Sequence, residues 1–330
     1  MKNYSNTNNY SLNLYKMSAL IFPGQGSQLV GMGSEFYNNF DVVRKIFKQA
    51  DEKLNYPISK IILEGPTDQL QLTKNTQPAI LTVSYSIFTV LKNELNFDLN
   101  SFKFFAGHSL GEYSALVCAG SLDFNDALYL LHERGKAMQE AVPIGEGSML
   151  AILGETTENV KNIISSRENK KGVCEVANDN ADGQIIISGD SGSIKNLQLI
   201  LKEKKIKSIP LKVSAPFHCS LMKPAANNME KKINNTNFDI PLTNIVSNVT
   251  ANIESDPVNI KKLLIKQIFS TVKWRESVIK MFEAGVTNFI EIGPGKVLIG
   301  MVKRTIKSNV NCFSINTIAD IENLKDEFKK

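Results

Sequence analysis

Tryptophan occurs once in this 330-residue sequence, histidine three times and cysteine four times. Cys118, Cys174, Cys219 and Cys312 show no C-x-x-C spacing and no zinc-type pairing with histidine, which excludes a disulfide-stapled module and argues against a metal site. They read as reduced, mostly buried thiols of a reducing compartment, Cys219 included. No stretch approaches the ~20 consecutive apolar residues of a membrane-spanning helix. Arginine is sparse beside lysine, and the net charge is only +5. Without clustered Arg and interleaved aromatics a nucleic-acid surface is not expected, whereas an acidic partner is compatible. What is present is ordinary globular material, 42% hydrophobic and 22% charged, sufficient for a sizeable core. The length suits two domains, or one large domain with an insertion.

Residues 1–16 are rich in Asn, Ser and Tyr, hold no acid and lack an apolar signal core. They read as a disordered extension, either an added leader or the end of a processed transit peptide, with the fold beginning at Met17. A transit remnant favours the stroma of a plastid-type organelle such as an apicoplast; a bacterial cytoplasm is the alternative.

Along the chain, 19–22 is a short apolar run ending in Pro-Gly, the pattern of a buried strand meeting a loop. Residues 34–54 and 77–96 carry helical spacing, and 102–106 is a second buried strand that runs into a turn and a helix reaching about 119. Asp123 is placed to cap a helix through about 142. From 144 to 213 the predicted order is strand 148–153, helix 156–166, strands 173–177 and 184–188, helix 191–204 and strand 208–213. That β-α-β-β-α-β order is ferredoxin-like, with Asp179, Asn180 and Gly183 supplying the turn between the central strands. Afterwards α/β material resumes, with helices at 219–235, 257–269 and 274–284 and a strand at 289–292. The expected architecture is an α/β body formed by 17–143 and 214–330, interrupted by a ferredoxin-like subdomain at 144–213.

The strongest chemical signal is Gly107-x-Ser109-x-Gly111 between a strand and a helix. A serine on such a sharp turn projects its hydroxyl outward, and the flanking glycines relieve the crowding of the turn. The helix that follows aims its N-terminus at developing negative charge. The serine needs a base, and the choice lies among His108, His132 and His218. His108 adjoins the serine and reads as structural or pocket-lining. His132 sits among charged helix neighbours and reads as solvated. His218, in a rigid Ala-Pro-Phe-His loop, is the best candidate. Its orienting partner is open between a carboxylate and a backbone carbonyl. Arg134 is open between a surface helix residue and a pocket cation. The glycine-rich 293–296 lacks phosphate-loop spacing and reads as a tight turn.

Taken together, FPGQGSQ at 22–28, GHSLGEYSAL at 107–116, Arg134 in ERGKAMQEAVP, APFH at 215–218 and EIGPGKVL at 291–298 resemble the malonyl-CoA:acyl carrier protein transacylases of type II fatty acid synthesis. The resemblance spans about 17–304. It implies an α/β-hydrolase-like body with an inserted ferredoxin-like subdomain and an active site in the cleft between them. It implies Ser109 as nucleophile and His218 as base. Gln25 and Leu110 would be oxyanion-hole amides, Arg134 would bind the malonyl carboxylate, and the Gln267 carbonyl would orient His218. Phe217 would favour malonyl over methylmalonyl groups. It further implies a monomer without a bound cofactor or metal, whose substrates are malonyl-CoA and phosphopantetheinylated acyl carrier protein. The competing expectation is a serine hydrolase or thioesterase on a similar elbow.

Overall fold

The computed structural model describes residues 17–95, 101–167, 171–213 and 215–329. The proposed extension at 1–16 lies outside the described residues. The larger of two sheets has the order β10-β9-β1-β2-β7-β8. Its strands are β1 (Ser18–Phe22), β2 (Phe104–Gly107), β7 (Ile245–Val246), β8 (Ile253–Glu254), β9 (Asn288–Ile292) and β10 (Asn311–Ile315). Strands β10, β9, β1, β2 and β7 run parallel, and β8 joins the edge antiparallel. Strands β1, β2 and β9 are buried throughout, as expected of a parallel sheet covered on both faces.

In chain order the helices are α1 (Ser34–Asn39), α2 (Asp41–Leu54), α3 (Ile58–Glu64), α4 (Thr67–Gln71), α5 (Thr73–Leu95), α6 (Gly111–Cys118), α7 (Phe124–Glu140), α8 (Thr157–Ser165), α9 (Ser191–Glu203), α10 (Lys223–Asn235), α11 (Pro257–Gln267), α12 (Trp274–Glu283), α13 (Val297–Thr305) and α14 (Ile318–Lys329). The pattern at 34–54 is broken at Phe40, whose extended backbone (φ −126°, ψ 122°) separates α1 from α2. Helix α5 starts at Thr73, four residues ahead of expectation, because it continues through Pro78. Proline has no N–H to give the carbonyl four residues earlier. That carbonyl, on Lys74, receives His132 Nδ1 at 3.1 Å instead. His132 also packs on the Tyr56 ring. It is therefore a half-buried link between α5 and α7, not a solvated residue.

The smaller sheet is antiparallel, in the order β4-β5-β3-β6. It comprises β3 (Gly147–Leu153), β4 (Cys174–Ala181), β5 (Gln184–Asp190) and β6 (Lys207–Pro210). With α8 and α9 it makes the predicted β-α-β-β-α-β unit. Period-two alternation sorts its side chains. Leu150, Ile152, Val176, Ile185 and Ile187 pack with residues of α8 and α9. Met149, Ala151, Ala177 and Ile186 join the main core instead. Of the expected turn residues, Gly183 holds and Asp179 and Asn180 are corrected by the structure. Asp179 and Asn180 belong to β4, and the turn falls at Asp182 and Gly183. Both polar side chains stay in the strand because they have partners there. Asp179 pairs with Arg275, and Asn180 bonds His108.

The smaller sheet is tied to the body next to the cleft, through the segment between α11 and α12. Asp179 N–H donates to the Val272 carbonyl at 3.0 Å, and Val272 N–H donates to the Ala177 carbonyl at 2.8 Å. Thr271 Oγ1 donates to the Val176 carbonyl at 2.6 Å. Among the described residues no helix is long and apolar enough to cross a membrane.

Candidate active site

Strand β2 ends at Gly107 and α6 begins at Gly111, which leaves three residues to reverse the chain. Ser109 takes the left-handed backbone region, with φ 53°, a conformation that costs a non-glycine residue free energy and recurs at active sites. The neighbouring glycines are required by contact. A Cβ on Gly107 would lie 1.9 Å from the Gly111 backbone, and one on Gly111 would lie 2.2 Å from the Phe22 carbonyl oxygen. The elbow is pinned further by Asn248, which accepts the Ser109 N–H at 2.7 Å and donates to the Gly107 carbonyl at 2.7 Å.

Ser109 Oγ lies 2.8 Å from His218 Nε2. His218 is also left-handed, with φ 60°, and its Nδ1 lies 2.9 Å from the Gln267 main-chain oxygen. That carbonyl belongs to the last residue of α11, where helix carbonyls lack intrahelical partners. Because a carbonyl can only accept, Nδ1 carries the proton and Nε2 faces the serine with its lone pair. Burial, aided by the Arg134 charge, pushes the imidazole down to about 3.

Arg134 is 1% exposed on α7, so the surface reading is excluded. Its position depends on Gly135, where a Cβ would meet the Thr73 carbonyl at 2.5 Å. The close approach of α7 to α5 brings Arg134 to Gln77, whose Oε1 accepts from Nη1 at 2.7 Å. Nη2 donates to Gln267 Oε1 at 2.8 Å and to Ser109 Oγ at 3.1 Å. The guanidinium also stands over the Tyr113 ring, 5.7 Å from its centroid. All three hydrogen-bond partners are uncharged oxygens, and Nε has no partner. A buried cation so arranged is built to receive an anion.

These groups open on a cavity of about 370 Å³, lined by strands of the smaller sheet and by loops and helices of the body. Gln25, Leu110 and Phe217 line it beside Ser109. His108 lines it too, with Nε2 2.8 Å from Asn180 Oδ1 and its ring against Trp274, so it is both structural and pocket-lining. Among the described residues no cluster of His, Cys, Asp and Glu could hold a metal ion. Cys118, Cys174 and Cys219 are buried free thiols, and Cys312 is half-buried.

Three participants were not anticipated from the sequence. Glu112 is 2% exposed and its carboxyl is pushed up to about 7 by burial. The signal was there: it is the one charged residue of α6. Asn248 and Gln77 gave none, since a polar amide in a loop or an early helical turn has an ordinary solvated reading.

The arrangement suits acyl transfer through a serine ester: a hydroxyl, a neutral base fixed in the right tautomer, and a cation beside the reacting oxygen. Residues 19–328 match the acyl transferase domain family. A malonyl CoA-acyl carrier protein transacylase of Bacillus subtilis (strain 168) is 44% identical over 291 residues, covering 87% of this chain and 89% of its own. The chain belongs to the malonyl-CoA:acyl carrier protein transacylase family. Solved transacylase structures have the same fold. The acyl-carrier-protein-S-malonyltransferase of Bartonella henselae matches with a TM-score of 0.91 and 40% identity, over 95% of this chain and 99% of that one. A malonyl-transacylase solved in complex with its type II polyketide acyl carrier protein matches with a TM-score of 0.89 and 37% identity, over 94% and 99%.

Proposed function

We infer that this chain transfers the malonyl group of malonyl-CoA to the phosphopantetheine thiol of acyl carrier protein, supplying the extender unit of fatty acid synthesis. The observation that carries this reading is the 3.1 Å contact between a buried Arg134 without a carboxylate of its own and the oxygen of Ser109, itself bonded to His218. A cation next to the nucleophile selects an acyl group with a distal carboxylate. A lipase or simple esterase would line that position with apolar groups.

In the first half-reaction Ser109 Oγ attacks the thioester carbonyl while His218 Nε2 takes its proton. The N–H groups of Gln25 and Leu110 stabilise the oxyanion, an effect typically ~3–4 kcal/mol per donor. Collapse breaks the C–S bond, and the CoA sulfur leaves with the proton from His218. The second half-reaction reverses this course: the carrier thiol gives its proton to His218 and attacks the malonyl ester, and Ser109 regains its proton. Arg134 holds the malonyl carboxylate bidentately, which lysine would do less well. An acetyl group leaves that cation unpaired and is disfavoured. Phe217, 7% exposed in the wall, takes the space an α-methyl would need.

The body of 17–143 and 214–330 supplies Ser109, His218 and Arg134, and the inserted 144–213 closes the cleft. Exposed Lys212 stands at its rim, where it can draw in an acidic carrier protein. The enzyme works as a monomer without a bound cofactor, in a plastid-type stroma or a bacterial cytoplasm.

Intact mass after mixing with malonyl-CoA tests the reading. A single malonyl adduct that maps to Ser109, is absent from Ser109→Ala and is discharged by phosphopantetheinylated carrier protein is the expected result. Rapid release of free malonate with no acyl-carrier product would make the chain a hydrolase instead.

A further inference from the structure

The side-chain amide of Gln267 sits at the centre of the site and is fully buried. Its Oε1 accepts from Arg134 Nη2 at 2.8 Å. Its Nε2 faces three acceptors: Glu112 Oε2 at 2.7 Å, the Ser109 carbonyl at 3.0 Å and Asn248 Oδ1 at 3.4 Å. The Glu112 bond is the shortest of these. A reversed amide would set its oxygen against those acceptors and its N–H against the guanidinium, so only one orientation gives Arg134 an acceptor.

Glu112 is itself held in place. Its Oε2 also accepts the Asn248 N–H at 3.2 Å, and the Ser247 hydroxyl bonds its carboxyl. It lies in the first turn of α6, directly after the nucleophile elbow. One acid thus ties the Ser109 elbow to the end of α11. It stands one amide away from Arg134.

We propose that Glu112 is a positioning residue, whose acceptor oxygen fixes the facing of the Gln267 amide and so holds the Arg134 guanidinium toward Ser109 and the substrate carboxylate. The proposal rests on the reading of Arg134 as the carboxylate-binding group. It assigns the work to the acceptor atom and not to the negative charge. Burial pushes this carboxyl up to about 7 against the hydrogen bonds it receives, so its charge varies near neutrality. An oxygen able to accept from Gln267 is present in either protonation state.

Two variants separate the possibilities. Glu112→Gln keeps an acceptor at full reach and removes the charge. Glu112→Asp keeps the charge and withdraws the acceptor by one methylene. The measurement is single-turnover acyl loading of Ser109 from malonyl-CoA and from acetyl-CoA. Glu112→Gln keeps the malonyl preference within about twofold, because its acceptor bond survives. Glu112→Asp loses about tenfold of that preference through a raised KM for malonyl-CoA, the scale of one buried hydrogen bond. Its acetyl loading changes little, because acetyl does not use Arg134. Equal losses for both acyl donors would reduce Glu112 to a structural residue. A preference kept by Glu112→Asp and lost by Glu112→Gln would show that charge matters and overturn the proposal. A wild-type chain that loads no malonyl overturns the functional reading itself, a result distinct from either.

Discussion

At the scale of single residues, one guanidinium does two jobs. Arg134 helps to keep His218 neutral, since its charge adds to burial in pushing the imidazole down to about 3. It is also the group placed to take the substrate carboxylate. When that carboxylate arrives, the cation is offset, and the imidazolium that forms during attack is repelled less. The base becomes stronger when the correct acyl group is bound, which adds kinetic selectivity to binding selectivity. The sign of the pH dependence follows. A histidine must lose its proton to act as a base, so activity falls only as pH drops toward its lowered value. Malonyl loading measured as kcat/KM should show no acid limb near the ordinary histidine value of about 6.5, and should stay level down to about pH 5. A limb near 6.5 in rapid-quench loading that persists in Glu112→Gln would mean that His218 titrates as a solvated histidine and that its burial does not govern the chemistry. Ser109 and His218 were readable from the sequence because a G-x-S-x-G turn and only three histidines leave few choices. Gln77 and Asn248 were not, because their roles come from which neighbours the fold supplies.

At the scale of elements, the elbow depends on the absence of side chains. A Cβ on Gly111 would stand 2.2 Å from the Phe22 oxygen and 2.8 Å from the Pro23 oxygen. Both are backbone atoms at the end of β1, which cannot turn aside as a flexible side chain would. Gly300, inside α13, has nothing within 4 Å of the same virtual atom. The two substitutions therefore act in opposite directions. Gly111→Ala should destabilise by at least about 3 kcal/mol, through overpacking against fixed backbone. Gly300→Ala should stabilise by about 0.5–1 kcal/mol, through helix propensity alone. Thermal unfolding of the two variants beside the parent decides this, and a Gly111→Ala protein with unchanged Tm would remove the packing argument. Legibility divides along the same line. Helix starts that rest on a local side-chain bond were visible, as with Asp123, which accepts from Asn125 and Asp126 N–H. The continuation of β4 through Asp179 and Asn180 was not, because their partners Arg275 and His108 lie 96 and 72 residues away.

At the scale of the whole molecule, the smaller sheet is seated beside the cleft along one seam, where β4 meets the 271–275 segment of the body. The order of elements in 144–213 could be read as a separate unit from local patterns, but the seam could not, since it is made of long-range polar contacts. Its centre is Arg275 of α12, which grips Asp179 through Nε at 3.0 and 3.1 Å and Nη2 at 3.0 Å. Asp179 is only 3% exposed, whereas Arg275 remains 27% exposed. Arg275→Ala would leave a carboxylate buried in β4 without its counter-charge. With allowance for the solvent that reaches Arg275, the cost is about 2 kcal/mol. The loss has a direction through the molecule. The chain between Gln267, which orients His218, and Arg275 includes Thr271 and Val272, both bonded to β4. Loosening the seam therefore frees the small sheet and the end of α11 together. Hydrogen exchange of Arg275→Ala should accelerate in 174–181 and 268–275, while β1 and β9 stay protected. Malonyl loading should slow in the same variant. Exchange that rises evenly across both sheets would mean that the pair adds only to overall stability, and that the cleft is held by its apolar contacts instead.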